Sequence, residues 1–119
     1  MPCYFNQPGG YWMKSIRKAV GLILIVAVMV MGCATDEEKK LSHFERGVGY
    51  FDKGDYKAAE IELKNAIQID PQYVAAYAKL GETYLKLGSA KEAFREYSMV
   101  AKLDPDNTDA LLKLATLSL

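Results

Sequence analysis

Few side chains in this sequence can do chemistry alone, and their spacing limits what they do together. Cys3 and Cys33 are the only thiols among 119 residues, and His43 is the only imidazole. One histidine without a second histidine or a nearby thiol pair does not make a zinc site. His43, in a helical pattern, reads as a packing or surface residue. The acids Asp36, Glu37 and Glu38 are contiguous, as in a solvated polar segment rather than a metal cage. Gly47-Val48-Gly49 is too short for a phosphate loop and lies inside a helical pattern. Glu60 and Glu62, with Lys57 and Lys64, read as helix surface charges. No nucleophile, base and oxyanion hole come together. The expectation is a non-enzyme with no cofactor and no metal. What remains is Cys33, a single thiol at the break between an apolar run and three acids.

The elements around that thiol give it a setting. Ala19 to Gly32 carries no charged side chain, and Lys14, Arg17 and Lys18 stand just before it. A basic stretch followed by a short apolar run is the order of an export signal. The run falls short of the ~20 residues that a bilayer-crossing helix needs. All the carboxylates lie beyond Cys33, so the chain from there on carries a net charge of about −3. That balance offers no basic patch for a nucleic-acid backbone. Val30-Met31-Gly32-Cys33 resembles the lipobox of bacterial lipoproteins, with an aliphatic residue three before the cysteine and a small one before it; Met31 is an uncommon middle residue. The resemblance implies cleavage before Cys33 and lipidation of its thiol and new amine. More than one acyl chain is what stable anchoring requires. An uncleaved signal anchor is the alternative, and either places the remainder outside the cytoplasm. Residues 1–12 read as an extension upstream of a true start at Met13, residues 13–32 as the signal, and residues 33–39 as the lipidated cysteine and a polar tether. Loss of Cys3 with the signal would leave no disulfide within the mature chain.

Behind the tether the chain repeats itself. Gly47 recurs as Gly81, Tyr50 as Tyr84, Gly54 as Gly88, Ala59 as Ala93, Asp70 as Asp104 and Pro71 as Pro105, always 34 residues apart. Agreement at one spacing marks an internal repeat. Apolar residues fall at helical spacing, as in Ile61, Leu63, Ala66, Ile67 and Ile69, or Leu80, Tyr84, Leu85 and Leu87. Gly54 and Gly88 suit turns needing positive φ. Asp70-Pro71 and Asp104-Pro105 end helices, since the residue before proline is pushed out of the helical region. These residues resemble the tetratricopeptide repeat, a helix-turn-helix unit. The first unit matches at Gly47, Tyr50, Gly54, Asp55, Tyr56, Ala59, Ala66 and Pro71, and the second at Tyr77, Leu80, Gly81, Tyr84, Gly88, Ala93, Tyr97 and Pro105. The departures are His43 where the family often has tryptophan, Arg46 where it has leucine, and Val100 where alanine is usual. The fold expected is all-α: helical hairpins stacked as a short right-handed solenoid behind a signal peptide. Residues 40–73 form the first unit, 74–107 the second, and 108–119 the first helix of a partial third. Gly47 opposite Ala59, and Gly81 opposite Ala93, are expected to let helix axes approach, with Tyr50 and Tyr84 filling the space between hairpins.

In the family the first helix of each pair forms a concave binding surface. Carried over, that surface holds Leu41, Phe44, Val48, Phe51 and Asp52 from the first unit, and Ala75, Ala78, Glu82, Leu85 and Lys86 from the second. Some such repeats clamp a chaperone's C-terminal carboxylate with lysine and asparagine. The corresponding residues here are Phe44 and Val48, so an apolar peptide or a helix face suits the groove instead. Further repeats, or the chain's own N-terminal segment, would cover the same residues equally well. The function implied is a membrane-anchored scaffold for protein–protein interaction in the bacterial cell envelope, facing the periplasm, with Ala34 after the cysteine favouring the outer membrane. The alternative is an accessory or sorting subunit of a secretion, pilus or exopolysaccharide-export complex. Type IV pilus pilotins and repeat lipoproteins associated with exopolysaccharide export share this architecture. The closing helix carries leucines on more than one face: Leu114 and Leu117 are expected to pack against the preceding hairpin near Val100, while Leu112 and Leu119 point elsewhere. That predicts either a longer repeat protein or self-association through this helix.

Overall fold

The computed structural model describes residues 35–119, which form five helices and no strands. Cys33, the signal segment and the region upstream lie outside the described residues. Helix α1 spans Asp36–Asp52, α2 Tyr56–Ile69, α3 Val74–Lys86, α4 Ala90–Leu103 and α5 Thr108–Leu117. Helices α1 and α2 pack as one hairpin and α3 and α4 as a second, with α2 against α3 and α4 against α5. The result is a stack of helical hairpins in chain order.

Local chemistry sets each boundary. Gly54 (φ 79°) and Gly88 (φ 75°) take the left-handed conformation between the helices of each hairpin, where a side chain would be strained. The Asp55 side chain accepts the Ala58 N–H at 3.1 Å, and the Asn107 side chain accepts the Ala110 N–H at 3.0 Å, capping α2 and α5. Helix α2 ends at Ile69 and α4 at Leu103, each one residue before the Asp-Pro pair that stops it.

The first helix starts earlier than the sequence reading has it. Asp36 to Lys39, read as tether, are its opening turn. Three acids at a helix N-terminus lie where the helix dipole favours negative charge, so the run that looks like a solvated linker serves as a helix start. Lys40 then ties that turn to the junction between hairpins. Its Nζ donates to Asp70 Oδ2 at 2.9 Å, pairs with Glu37 at 2.7 Å and sits 4.7 Å over the Tyr73 ring.

The core runs between the hairpins and through them. Ala59, Leu63, Tyr77, Leu80, Tyr84, Ala93, Tyr97, Val100 and Ala110 are buried together. Ile61, at helical spacing with the other apolar residues of α2, is exposed. Leu114 and Leu117 pack against the core from α5, and Leu112 and Leu119 are exposed, as their places on the helix predict. Among the described residues no helix is long and apolar enough to cross a membrane.

Candidate functional site

Helices α1 and α3 are the first helices of their hairpins and lie side by side. Of the side chains assigned to their shared surface, Leu41, Asp52, Ala75 and Lys86 are exposed, and Phe44, Val48, Phe51, Ala78, Glu82 and Leu85 are half-buried. Phe44, Phe51, Ala78 and Leu85 also pack against the core, so they form a floor more than a set of free contacts.

That floor has partners the sequence does not announce. The Phe44 ring lies 5.1 Å from Tyr73, and Phe51 meets Tyr56 edge-on at 5.3 Å. Lys79 Nζ stands 4.6 Å over the Phe51 ring and donates to Glu82 at 2.7 Å. Phe51, Lys79 and Glu82 thereby form a bridge from α1 to α3, capping one aromatic face with a cation. The spacing of Lys79 and Glu82 along one helix was the available signal for the ion pair. Its position over Phe51 depends on the packing of the two helices.

The residues expected to set the hairpin packing lie at buried or half-buried positions. Ala59 and Ala93 are fully buried, Tyr84 is buried and Tyr50 half-buried. A Cβ on Gly47 would stand 2.8 Å from Leu63 Cγ, and one on Gly81 would stand 3.0 Å from the Tyr97 ring. The nearest neighbours of those two places are therefore Leu63 and Tyr97, one turn further along the facing helices than the buried Ala59 and Ala93. Leu63 and Tyr97 are themselves one repeat apart.

The charged residues of α2 reach across to other helices. Glu60 Oε1 accepts from Lys64 Nζ at 2.6 Å and from the Tyr84 hydroxyl at 3.1 Å, linking α2 to α3. The Lys64 ammonium holds the Glu60 carboxyl below its usual range against the opposing effect of burial. Glu62 Oε2 lies 2.7 Å from His43 Nδ1 and 3.1 Å from Arg46 Nε, which lowers its pKa, the histidine having the larger effect. Arg46 Nη2 is also 2.8 Å from His43 Nδ1, and that nitrogen serves one of the two neighbours at a time. A cleft of about 190 Å³ opens beside them, lined by Arg46, Gly49, Tyr50 and Lys53. One repeat on, these positions hold Leu80, Thr83, Tyr84 and Leu87, where Leu80, Thr83 and Tyr84 are buried. Arg46 and Lys53 of α1 thus stand at the positions that Leu80 and Leu87 hold one repeat on. Among the described residues no three His, Cys, Asp or Glu side chains could hold a metal ion.

Two family models match: TPR repeat over residues 47–88 and Tetratricopeptide repeat over residues 74–117. Residues 47–117 are tetratricopeptide repeats. The first TPR of Spaghetti (RPAP3) bound to the HSP90 peptide SRMEEVD superposes with a TM-score of 0.64 at 26% identity, covering 66% of this chain and 63% of that one. The type IV pilus assembly protein PilF of Pseudomonas aeruginosa is 26% identical over 102 residues, which are 76% of this chain and 40% of PilF. The lipoprotein NlpI homolog of Haemophilus influenzae is 29% identical over 88 residues, 74% of this chain and 28% of that protein. This chain spans 6, 40 and 58% of the length of three curated relatives, one from mouse and two from bacteria. Repeat proteins of such different sources share the TPR hairpin, so the fold alone does not name a partner.

Proposed function

We propose that this chain is a protein-interaction scaffold of the bacterial cell envelope, held at a membrane by lipid on Cys33. Its repeats take an apolar segment or helix face of another protein on the surface shared by α1 and α3. The observation that carries this reading is the lining of that surface: Phe44, Val48, Ala78 and Leu85 are half-buried and apolar, with Leu41 exposed beside them. A peptide such as SRMEEVD, carried by the structural relative, presents acids, whereas Phe44, Val48 and Ala78 on this surface are apolar and the cation Lys79 is already paired with Glu82. Envelope placement, facing the periplasm and at the outer membrane, draws support from the lipobox resemblance and from likeness to PilF and the NlpI homolog. The pilus assembly relative favours a second reading, in which the scaffold is an accessory or sorting subunit of a pilus, secretion or exopolysaccharide-export complex.

The test places a photo-crosslinking residue at Val48 in the full chain, expressed in bacteria, with a second probe at exposed Lys57 on α2 as control. Adducts to another protein from Val48 alone, lost with Leu41→Asp, are the expected result. Equal adducts from both positions, or tight binding of SRMEEVD, would refute the apolar groove.

A further inference from the structure

Arg46, Gly49, Tyr50 and Lys53 fall three to four residues apart on one side of α1 and line the cleft of about 190 Å³. That space is several times the ~30 Å³ share of a water molecule in the liquid. Both cations keep unused donors. Arg46 gives Nε and Nη2 to Glu62, with Nη2 also 2.8 Å from His43, which leaves the two N–H groups of Nη1 without an acceptor among the described residues. Lys53 Nζ lies 6.0 Å over the Tyr50 ring and pairs with no carboxylate among the described residues.

The second repeat shows what the tyrosine of this register meets. The Tyr84 hydroxyl donates to Glu60 Oε1 at 3.1 Å, and Lys64 donates to the same oxygen at 2.6 Å, so an anion is held between a phenol and an ammonium. Tyr50 stands one repeat before Tyr84, and its hydroxyl has no such acceptor among the described residues. The segment upstream offers none either, since residues 1–34 contain no Asp or Glu.

Gly49 adds an independent sign. Gly47 is pressed by Leu63 and Gly54 takes a positive φ, but nothing lies within 4 Å of the missing Cβ of Gly49, and its φ is not positive. A glycine inside a helix is destabilising relative to alanine, and no packing contact asks for this one. One repeat on, the position holds Thr83, which is fully buried. The glycine keeps the space between Arg46 and Lys53 open.

We propose that this cleft binds a phosphate group, held by Arg46 and Lys53 with the Tyr50 hydroxyl as a third donor. Donors of three kinds around one space suit the tetrahedral set of phosphate oxygens, and the guanidinium matches their geometry. Glu62, behind Arg46, offsets one of the two positive charges, which leaves the complement of a singly charged phosphodiester. A phospholipid headgroup and a free phosphate share this chemistry. The headgroup is the source that a lipid on Cys33 would bring within reach, and that choice alone rests on the anchoring proposal.

The full chain, isotope-labelled and held in neutral detergent, is titrated with inorganic phosphate, with glycerophosphoglycerol as a headgroup phosphodiester, and with acetate, chloride keeping the ionic strength constant. Saturable shifts of the Gly49 and Lys53 amide signals with the phosphates, and none with acetate, are the expected result. Lys53→Gln, at an exposed position, is expected to weaken binding roughly tenfold. Gly49→Leu, which fills the cleft, is expected to abolish it while melting no earlier than the parent. Tighter binding of the phosphodiester assigns the site to a lipid headgroup, and tighter binding of inorganic phosphate to a soluble ligand; either sustains the proposal. Absence of a saturable shift, an equal response to acetate, or binding unchanged in both variants would overturn it. These soluble ligands need no lipid on Cys33, so failure of the anchor and failure of the cleft are read apart.

Discussion

The Tyr97 ring lies 3.0 Å from the place a Cβ on Gly81 would occupy, and Leu63 Cγ lies 2.8 Å from the same place on Gly47. Both facing side chains are almost fully buried, so neither has room to retreat. Gly81→Leu is expected to cost about 1–3 kcal/mol or more by overpacking, and Gly47→Ala to lower stability as well. Gly49 is in the same helix as Gly47 but has nothing within 4 Å of its missing Cβ. Gly49→Ala is therefore expected to raise stability by about 0.5–1 kcal/mol through helix propensity alone. Thermal melts of the three variants give the test; a common sign for Gly47→Ala and Gly49→Ala would contradict the register described.

The Tyr97 hydroxyl is buried without a hydrogen-bond partner among the described residues. Burial, with Glu82 and Asp109 nearby, pushes the phenol up to about 12. An unpaired buried hydroxyl costs about 1–3 kcal/mol of desolvation, so Tyr97→Phe is expected to match or exceed the parent in stability. The phenol also makes the parent weaker in alkali. From about pH 10 the unfolded chain ionises first, and the folded state loses stability until the pH passes the folded value. Tyr97→Phe is expected to show a shallower alkaline loss, read from denaturant midpoints between neutral and alkaline pH. A variant clearly less stable than the parent at neutral pH would show that the hydroxyl has a partner.

Two glutamates have opposite effects on pH dependence. Burial raises the Glu96 pKa, with Arg95 and then Lys64 pulling it down, whereas hydrogen bonding from Lys64 lowers that of Glu60. At Glu96 the unfolded carboxyl ionises first as pH rises through about 4.3, so stability falls from there through the folded pKa. Glu96→Gln is expected to be more stable than the parent at neutral pH, with the gain fading in acid. At Glu60 the contribution is complete above the ordinary range and is lost as pH falls through the depressed folded value. Glu60→Gln is expected to lose stability at neutral pH and to converge on the parent in acid. Melts from pH 3 to 7 would decide between these signs, and parallel curves for both variants would sink the assignment.

Periodicity made the hairpins legible because turn chemistry and helix stops recur with the repeat: Gly54 with Gly88, and Asp70-Pro71 with Asp104-Pro105. Which turn of one helix faces which turn of the next is a different kind of fact. That the atoms nearest a Cβ on Gly81 belong to Tyr97 depends on crossing angle and turn length, neither of which a 34-residue spacing encodes. The start of α1 was missed for a related reason. Asp36, Glu37 and Glu38 have the composition of a linker, and only the helix that follows turns them into a favourable first turn. At the candidate site the apolar types at Phe44, Val48 and Leu85 were readable from the repeat register. The Lys79 cation over Phe51 was not, since a long side chain can cover any of several neighbours.

Cys33 carries the anchoring proposal, and its test is independent of the repeats. Only Ala34 and Thr35 separate it from the first helical residue, and the described residues offer no membrane-spanning helix. The proposed attachment lies in the segment before α1. One acyl chain binds a membrane weakly and reversibly, and two or more hold it. Cys33→Ser removes the thiol on which the first lipid would be placed, and in the lipoprotein reading cleavage follows that step. The variant is expected to lose metabolic label from a palmitate analogue and to run as the uncleaved precursor. Its helical melt should match that of the parent, since Cys33 lies outside the repeats. Undiminished label in Cys33→Ser would refute the lipid anchor, whereas lost label with normal cleavage would show that the signal is removed without lipidation at this cysteine.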